Sequence, residues 1–254
     1  KTREAGGSGQ GGIALRYFAE SLNNTEFGFY AMNYHSRVPL ISGIAVTNTA
    51  PSSGSFFTEY PEDIHLFGVS FNTSLEASGI ALQGELSYRP NQPFQVDDVE
   101  LLFAGLSPLN AVIPQPYLQF RSQLGNYAPG EEIRGYERHK IAQLQFTATK
   151  VFGPGNWLGA DQIALVGESG FTHVDLPDNL RFNGDGTDTG GGPDVTTGAG
   201  RNPITLRNGF PTRFSWGYRL AARADYTNVW GTPINLSPRL AFSHDVNGFT
   251  PGPG

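Results

Sequence analysis

Arg16, Glu85, Arg89, Glu168, Arg219, Arg223, Asp225 and Arg239 are the side chains best placed to do chemistry, because each falls where apolar and polar residues alternate. In 214–228, Trp216, Tyr218, Leu220, Ala222, Ala224 and Tyr226 occupy the even positions, while Arg219, Arg223 and Asp225 share the odd ones with Gly217 and Ala221. In 232–246, Ile234, Leu236, Leu240 and Phe242 oppose Asn235, Ser237, Arg239 and Ser243. A period of two belongs to a β-strand, so two neighbouring strands would carry three arginines on one wall. Glu20, Glu85, Glu168 and Asp225 are their candidate partners. Paired charges on a wet wall are structural, or they select anionic and amphipathic solutes at a charged constriction.

Other chemistries fit poorly. "SHD" at 243–245 has the residue types of a hydrolase triad, but on a strand His244 points away from Ser243 and Asp245. Ser169 in "GESGF" lacks the second glycine of a nucleophile elbow. The glycines of "GGSGQGG" (6–12) neither follow a strand nor open a helix, so they read as a loop. Asp185, Asp188 and Asp194 lie in a glycine-rich loop without calcium-loop spacing or its terminal Glu. His35, His65, His139 and His173 fall near strand ends and read as packing residues. With no cysteine, disulfides, thiolate catalysis and cysteine zinc sites are removed together. No catalytic site, metal or cofactor is expected, and a net charge of −6 without a basic cluster argues against nucleic acid.

The elements that must position the charged wall follow from the same alternation. It predicts eight strands, over 12–21, 26–36, 63–73, 79–90, 138–152, 161–174, 214–228 and 232–246. The connections alternate between short ones (22–25, 74–78, 153–160, 229–231) and long ones (37–62, 91–137, 175–213). An all-β, antiparallel up-and-down transmembrane barrel of the bacterial outer membrane has this rhythm, with tight periplasmic turns and long extracellular loops. Each strand is roughly 10 to 15 residues, enough to cross a bilayer when tilted. Trp157 and Trp230 fall at short turns and Trp216 at the opposite strand end, the pattern of two aromatic girdles. Strand 26–36 is apolar on both faces, Phe27 and Phe29 against Tyr30 and Met32.

Within 91–137, "VDDVELLFAGLSPL" (96–109) predicts a short helix capped by Asp97 or Asp98. Val99, Leu102, Phe103 and Leu106 would share one helical face, which either packs on its neighbours or captures an apolar solute. On this topology both chain ends would be extracellular, so the chain is expected to be an incomplete portion of a larger barrel. Lys1 is not preceded by a signal peptide, so a leader has been removed or the chain starts inside a longer one.

Three stretches, "LRYFAESLNNTEFGFYAMNYHSRVPLISG" (15–43), "GVSFNTSLEASGIALQGELSYRPNQPFQVDDVELL" (68–102) and "INLSPRLAFSHDVNGFTPGPG" (234–254), resemble the outer-membrane protein family known as domain of unknown function 1302 (DUF1302). The resemblance implies a Gram-negative outer-membrane barrel, surrounded by lipid and lipopolysaccharide. It also implies exporter or lipoprotein-like partners in the envelope and the handling of hydrophobic compounds; it supplies no site residues. The expected function is a passive channel for hydrophobic or amphipathic small molecules. The competing expectation is a non-transport barrel acting as an adhesin, a receptor or a structural partner in an envelope complex, and a third, weaker one is a soluble β-domain that binds carbohydrate.

Overall fold

The computed structural model describes residues 1–113, 120–184 and 210–252. Asp185, Asp188 and Asp194 of the glycine-rich loop lie outside the described residues, as does most of the 175–213 connection. In chain order the described strands are β1 (Thr2–Arg3), β2 (Gly11–Ala19), β3 (Thr25–Tyr34), β4 (Leu40–Ile44), β5 (Ser55–Glu59) and β6 (Ile64–Leu75). They continue with β7 (Ile80–Gln95), β8 (Glu132–Ile133), β9 (Tyr136–Phe152), β10 (Gln162–Val174), β11 (Phe214–Asp225) and β12 (Arg239–Asn247). One helix, α1 (Asp98–Leu106), follows β7.

Eight strands form one sheet in the order β12-β11-β10-β9-β7-β6-β3-β2, so chain neighbours are sheet neighbours once the long connections are set aside. All the pairings in it are antiparallel. These are the eight strands that the alternation predicts, with two boundaries corrected. β12 begins at 239 rather than 232, because Pro233 and Pro238 have no N–H to give a ladder. Before Pro238 only the Tyr226–Leu236 bridge remains, leaving Ile234 in the turn. β7 runs on to Gln95 through an irregularity between Arg89 and Gln92, where Pro90 interrupts the ladder.

The sheet is open. β2 and β12 each pair on one side only, so the closed barrel expected from the alternation is not formed among the described residues.

A second correction concerns the long connections 37–62 and 91–137, which hold α1 and, with β1 from the start of the chain, build a further four-stranded sheet, β1-β5-β4-β8. β1 lies parallel to β5, and the other pairs are antiparallel. Its strands run from two to five residues, too short for a period of two to register. Gln95, buried at the end of β7, fastens this sheet to the large one. Its amide oxygen accepts from Ile41 N at 2.7 Å, and its Nε2 donates to Gly135 O at 2.7 Å and Ile41 O at 3.0 Å. Gly135 is required there, since a Cβ would come 1.8 Å from Ile41 O.

Buried apolar residues collect at the long-connection end of the sheet, where Phe94, Val96, Ile141, Val174, Leu176, Leu180 and Phe182 form a core under residues 175–182. A second core joins Ala45, Leu101, Ala104 and Ile133 between α1 and the small sheet.

Candidate functional site

Register decides which side chains share a face, because cross-strand partners project to the same side of a sheet. Following the pairs from β12 to β2 gives one polar row, Ser243, Arg219, Glu168, Thr147, Gln83, Asn72 and Glu26, which ends at Phe18. The adjacent row reads Asp245, Gly217, Gly170, Gln145, Glu85, Ser70, Gly28 and Arg16. Arg89, Arg223, Asp225 and Arg239 occupy the same side, by their pairing or their even spacing from these rows. All eight charged residues singled out from the sequence therefore share one face of one sheet.

Within that face the charges are only partly paired. Arg223 reaches Asp225 at 2.7 Å, and the same Oδ1 accepts from Ser237 Oγ at 2.6 Å. Arg239 sits directly across from Arg223, so the two guanidiniums share that one carboxylate neighbourhood. Arg89 donates to Gln143 Oε1 at 2.8 Å and to Tyr34 Oη at 3.2 Å. Arg16 stands 3.8 Å from Glu26. The two-faced strand 26–36 is explained by its phenols: Tyr30 turns its hydroxyl 3.4 Å from Ser70 Oγ, so the aromatic residues on this face present polar ends.

The opposite face is predominantly apolar. One row runs Leu15, Phe29, Val69, Leu86, Leu144, Phe171 and Trp216. Another runs Phe242, Leu220, Gly167, Ala148, Leu82 and Thr73. No described element covers this face: Ile13 and Leu240 are each 72% exposed and Phe67 is 51% exposed. His244 lies on this side with its ring 5.6 Å from Tyr218, away from Ser243 and Asp245.

Aromatic residues mark both ends of the apolar face. Trp216 stacks on Phe171 at 5.7 Å near the long-connection end. At the short-turn end Trp157 meets Phe152 edge-on at 4.8 Å and Trp230 is 87% exposed. Asp161 ties two short turns together by accepting from both the N–H and the hydroxyl of Thr227, each at 2.6 Å. Those two bonds hold its carboxyl below the usual aspartate range.

The helix is where the sequence reading needs most correction. Asp97 caps α1 as expected, its carboxylate accepting from Val99 N at 3.1 Å. The four residues Val99, Leu102, Phe103 and Leu106 divide between packing and an open groove instead of acting as one face. Val99 and Phe103 are buried, Phe103 against Phe120 with ring centroids 6.0 Å apart. Leu102 is exposed, and together with Leu106 it lines an apolar groove of about 350 Å³ closed by Ile41, Ile44, Val46 and Phe56. Helical periodicity could not separate these pairs, because the nine-residue helix packs on more than one side. The groove's other wall comes from β4 and β5, which the alternation missed.

The fold is thus an all-β protein built on an open antiparallel sheet with sharply sorted faces, capped at one end by a small mixed sheet and a helix. No helix among the described residues is long and apolar enough to cross a membrane. The chain belongs to the family described as "Protein of unknown function (DUF1302)", whose model matches residues 1–254. No curated protein and no solved structure matches the chain.

Proposed function

We propose that this sheet is wall of a bacterial outer-membrane β-barrel that passively conducts hydrophobic or amphipathic small molecules. The observation that carries the reading is the uncovered apolar face opposite a face bearing all eight predicted charged residues. In water an apolar face of this extent is unfavourable, whereas lipid is its natural solvent and a wet lumen suits the charged face. The aromatic residues at both ends support the same orientation, since amphipathic rings favour the two membrane interfaces. In hydrocarbon the open edges of β2 and β12 must find partners, with each other or with further strands. The groove between α1 and the small sheet would receive an apolar solute through Leu102 and Leu106 before it reaches the lumen. Partners on this reading are lipid and lipopolysaccharide, the solute, and exporter or lipoprotein-like components of the envelope.

The test is reconstitution of the protein into liposomes, with conductance and solute leakage measured together. Flux above that of protein-free vesicles supports the channel, and a sealed, non-conducting barrel overturns it. A second reading has its own observation, the folded cap: long connections built into a sheet and a helix are also what a receptor or structural partner would present. Absence of flux combined with stable capture of an envelope component would favour it. Recovery of the protein without detergent would overturn both.

A further inference from the structure

A hollow of about 640 Å³ opens on the charged face where Gly170 of β10 pairs directly with Gly217 of β11. The two glycines have different reasons to be there. At Gly217 a Cβ would come 2.8 Å from His244 O, beside the register shift that starts at Trp216, so the backbone requires glycine. At Gly170 nothing lies within 4 Å of the ideal Cβ, and its φ is not in the left-handed region. A glycine inside a strand weakens it and often marks a bulge, a tight bend, or a place where a ligand or another stretch of backbone comes close. Neither backbone geometry nor packing asks for glycine at 170, and what it preserves is space.

The groups around that space are unspent. Among the described residues Arg219, Glu168 and Asp245 have no ion-pair or hydrogen-bond partner, although Arg219 and Glu168 are direct cross-strand neighbours. Thr172 and Ser215 add hydroxyls at the next row, Ser215 Oγ lying 3.0 Å from Thr250 Oγ1. Carboxylates only accept and a guanidinium only donates. A simple anion would meet two carboxylates, and a simple cation would meet the guanidinium. Vicinal hydroxyls donate to the first and accept from the second, without a charge of their own. A bare glycine floor also lets a ring lie close to the backbone, and the volume falls within the range of small-molecule sites.

We propose that this hollow binds a polyhydroxylated group, the glycosyl head of an amphipathic solute. The proposal deepens the channel reading and rests on it for its meaning, but binding is measurable whether or not the protein conducts. The experiment is saturation-transfer NMR with maltose as probe, on folded protein in amine-oxide micelles, a detergent without a sugar head. The expected result is transfer to the ring protons of maltose, abolished in Gly170→Leu and weakened about tenfold in Arg219→Gln, which loses a charged donor. Heat-dependent gel mobility checks that both variants fold, and Arg219→Gln keeps the test alive if Gly170→Leu does not. No transfer in the parent protein, equal transfer in every folded variant, or binding of phosphocholine in place of maltose would overturn the proposal. A protein that binds maltose without conducting keeps this subsite and loses the channel; one that conducts without binding does the reverse.

Discussion

In the large sheet, Val69 and Leu86 are cross-strand neighbours that remain 43% and 46% exposed, whereas in the cap Leu101 and Ala104 are 7% and 0% exposed. The same kind of residue is thus left open in one region and enclosed in the other. The cap folds as soluble proteins do, by closing apolar residues of α1, β8 and the 44–46 segment on one another. The sheet sorts its residues by face and leaves the apolar side uncovered by any described element; on the barrel reading proposed above, lipid is what wets it. This contrast makes the sheet's stability depend on its environment and the cap's on its own packing.

The sharpest way to break the comparison is to put a charge on the apolar face. Leu86→Arg, midway along the β6–β7 hairpin, is expected to cost about 2–4 kcal/mol of folding in phosphatidylcholine vesicles, read by urea titration. Leu82→Arg, nearer the short turn, should cost about 1 kcal/mol, because the penalty falls toward the interface. Gln83→Arg on the charged face should stay within about 0.5 kcal/mol of the parent. If Gln83→Arg proves the more damaging, the sheet has been read inside out.

A cap substitution should do the opposite. Leu101→Ala removes a buried side chain from a small core and is expected to cost about 2–3 kcal/mol locally. Hydrogen exchange should quicken in α1 and β8 while β6, β7 and β9 keep their protection and the protein still inserts. Loss of insertion with Leu101→Ala would show that cap and sheet fold as one unit.

What was legible in the sequence divides along the same line. The eight long strands and the shared face of the eight charged residues from Arg16 to Arg239 were readable because a two-sided sheet writes its environment into odd and even positions. The cap was not. "LISGI" and "SFFTE" are too short to show a period, and β1 meets β5 across more than 50 residues of chain. Leu102 and Phe103 looked equivalent on a helical wheel, which shows neither the Phe120 ring that Phe103 packs on nor the strands β4 and β5 that give Leu102 its groove. The Gly170 hollow was equally hidden, since a strand glycine is uninformative until its pairing with Gly217 and the room at its Cβ are known.

The smallest expected effect tests whether the cap's attachment is electrostatic at its rim. Arg3 of β1 forks onto Glu132 of β8 with two bonds of 3.0 Å, stands 3.4 Å from Glu59, and lies 4.6 Å over the Phe57 ring. Hydrogen bonding from Arg3 holds the Glu132 carboxyl below the usual glutamate range. A lowered folded-state value means that the clip's contribution is complete above the ordinary glutamate range and is lost as pH falls through the lowered one. Both groups are solvent-exposed, so the loss should appear locally: faster proteolysis or exchange at residues 1–5 in acid, with the large sheet unchanged. Glu132→Gln should bring that acid behaviour to neutral pH and flatten its pH dependence. If β1 stays equally protected in Glu132→Gln at every pH, backbone pairing to β5 alone holds it, and the cap owes nothing at this rim to charge.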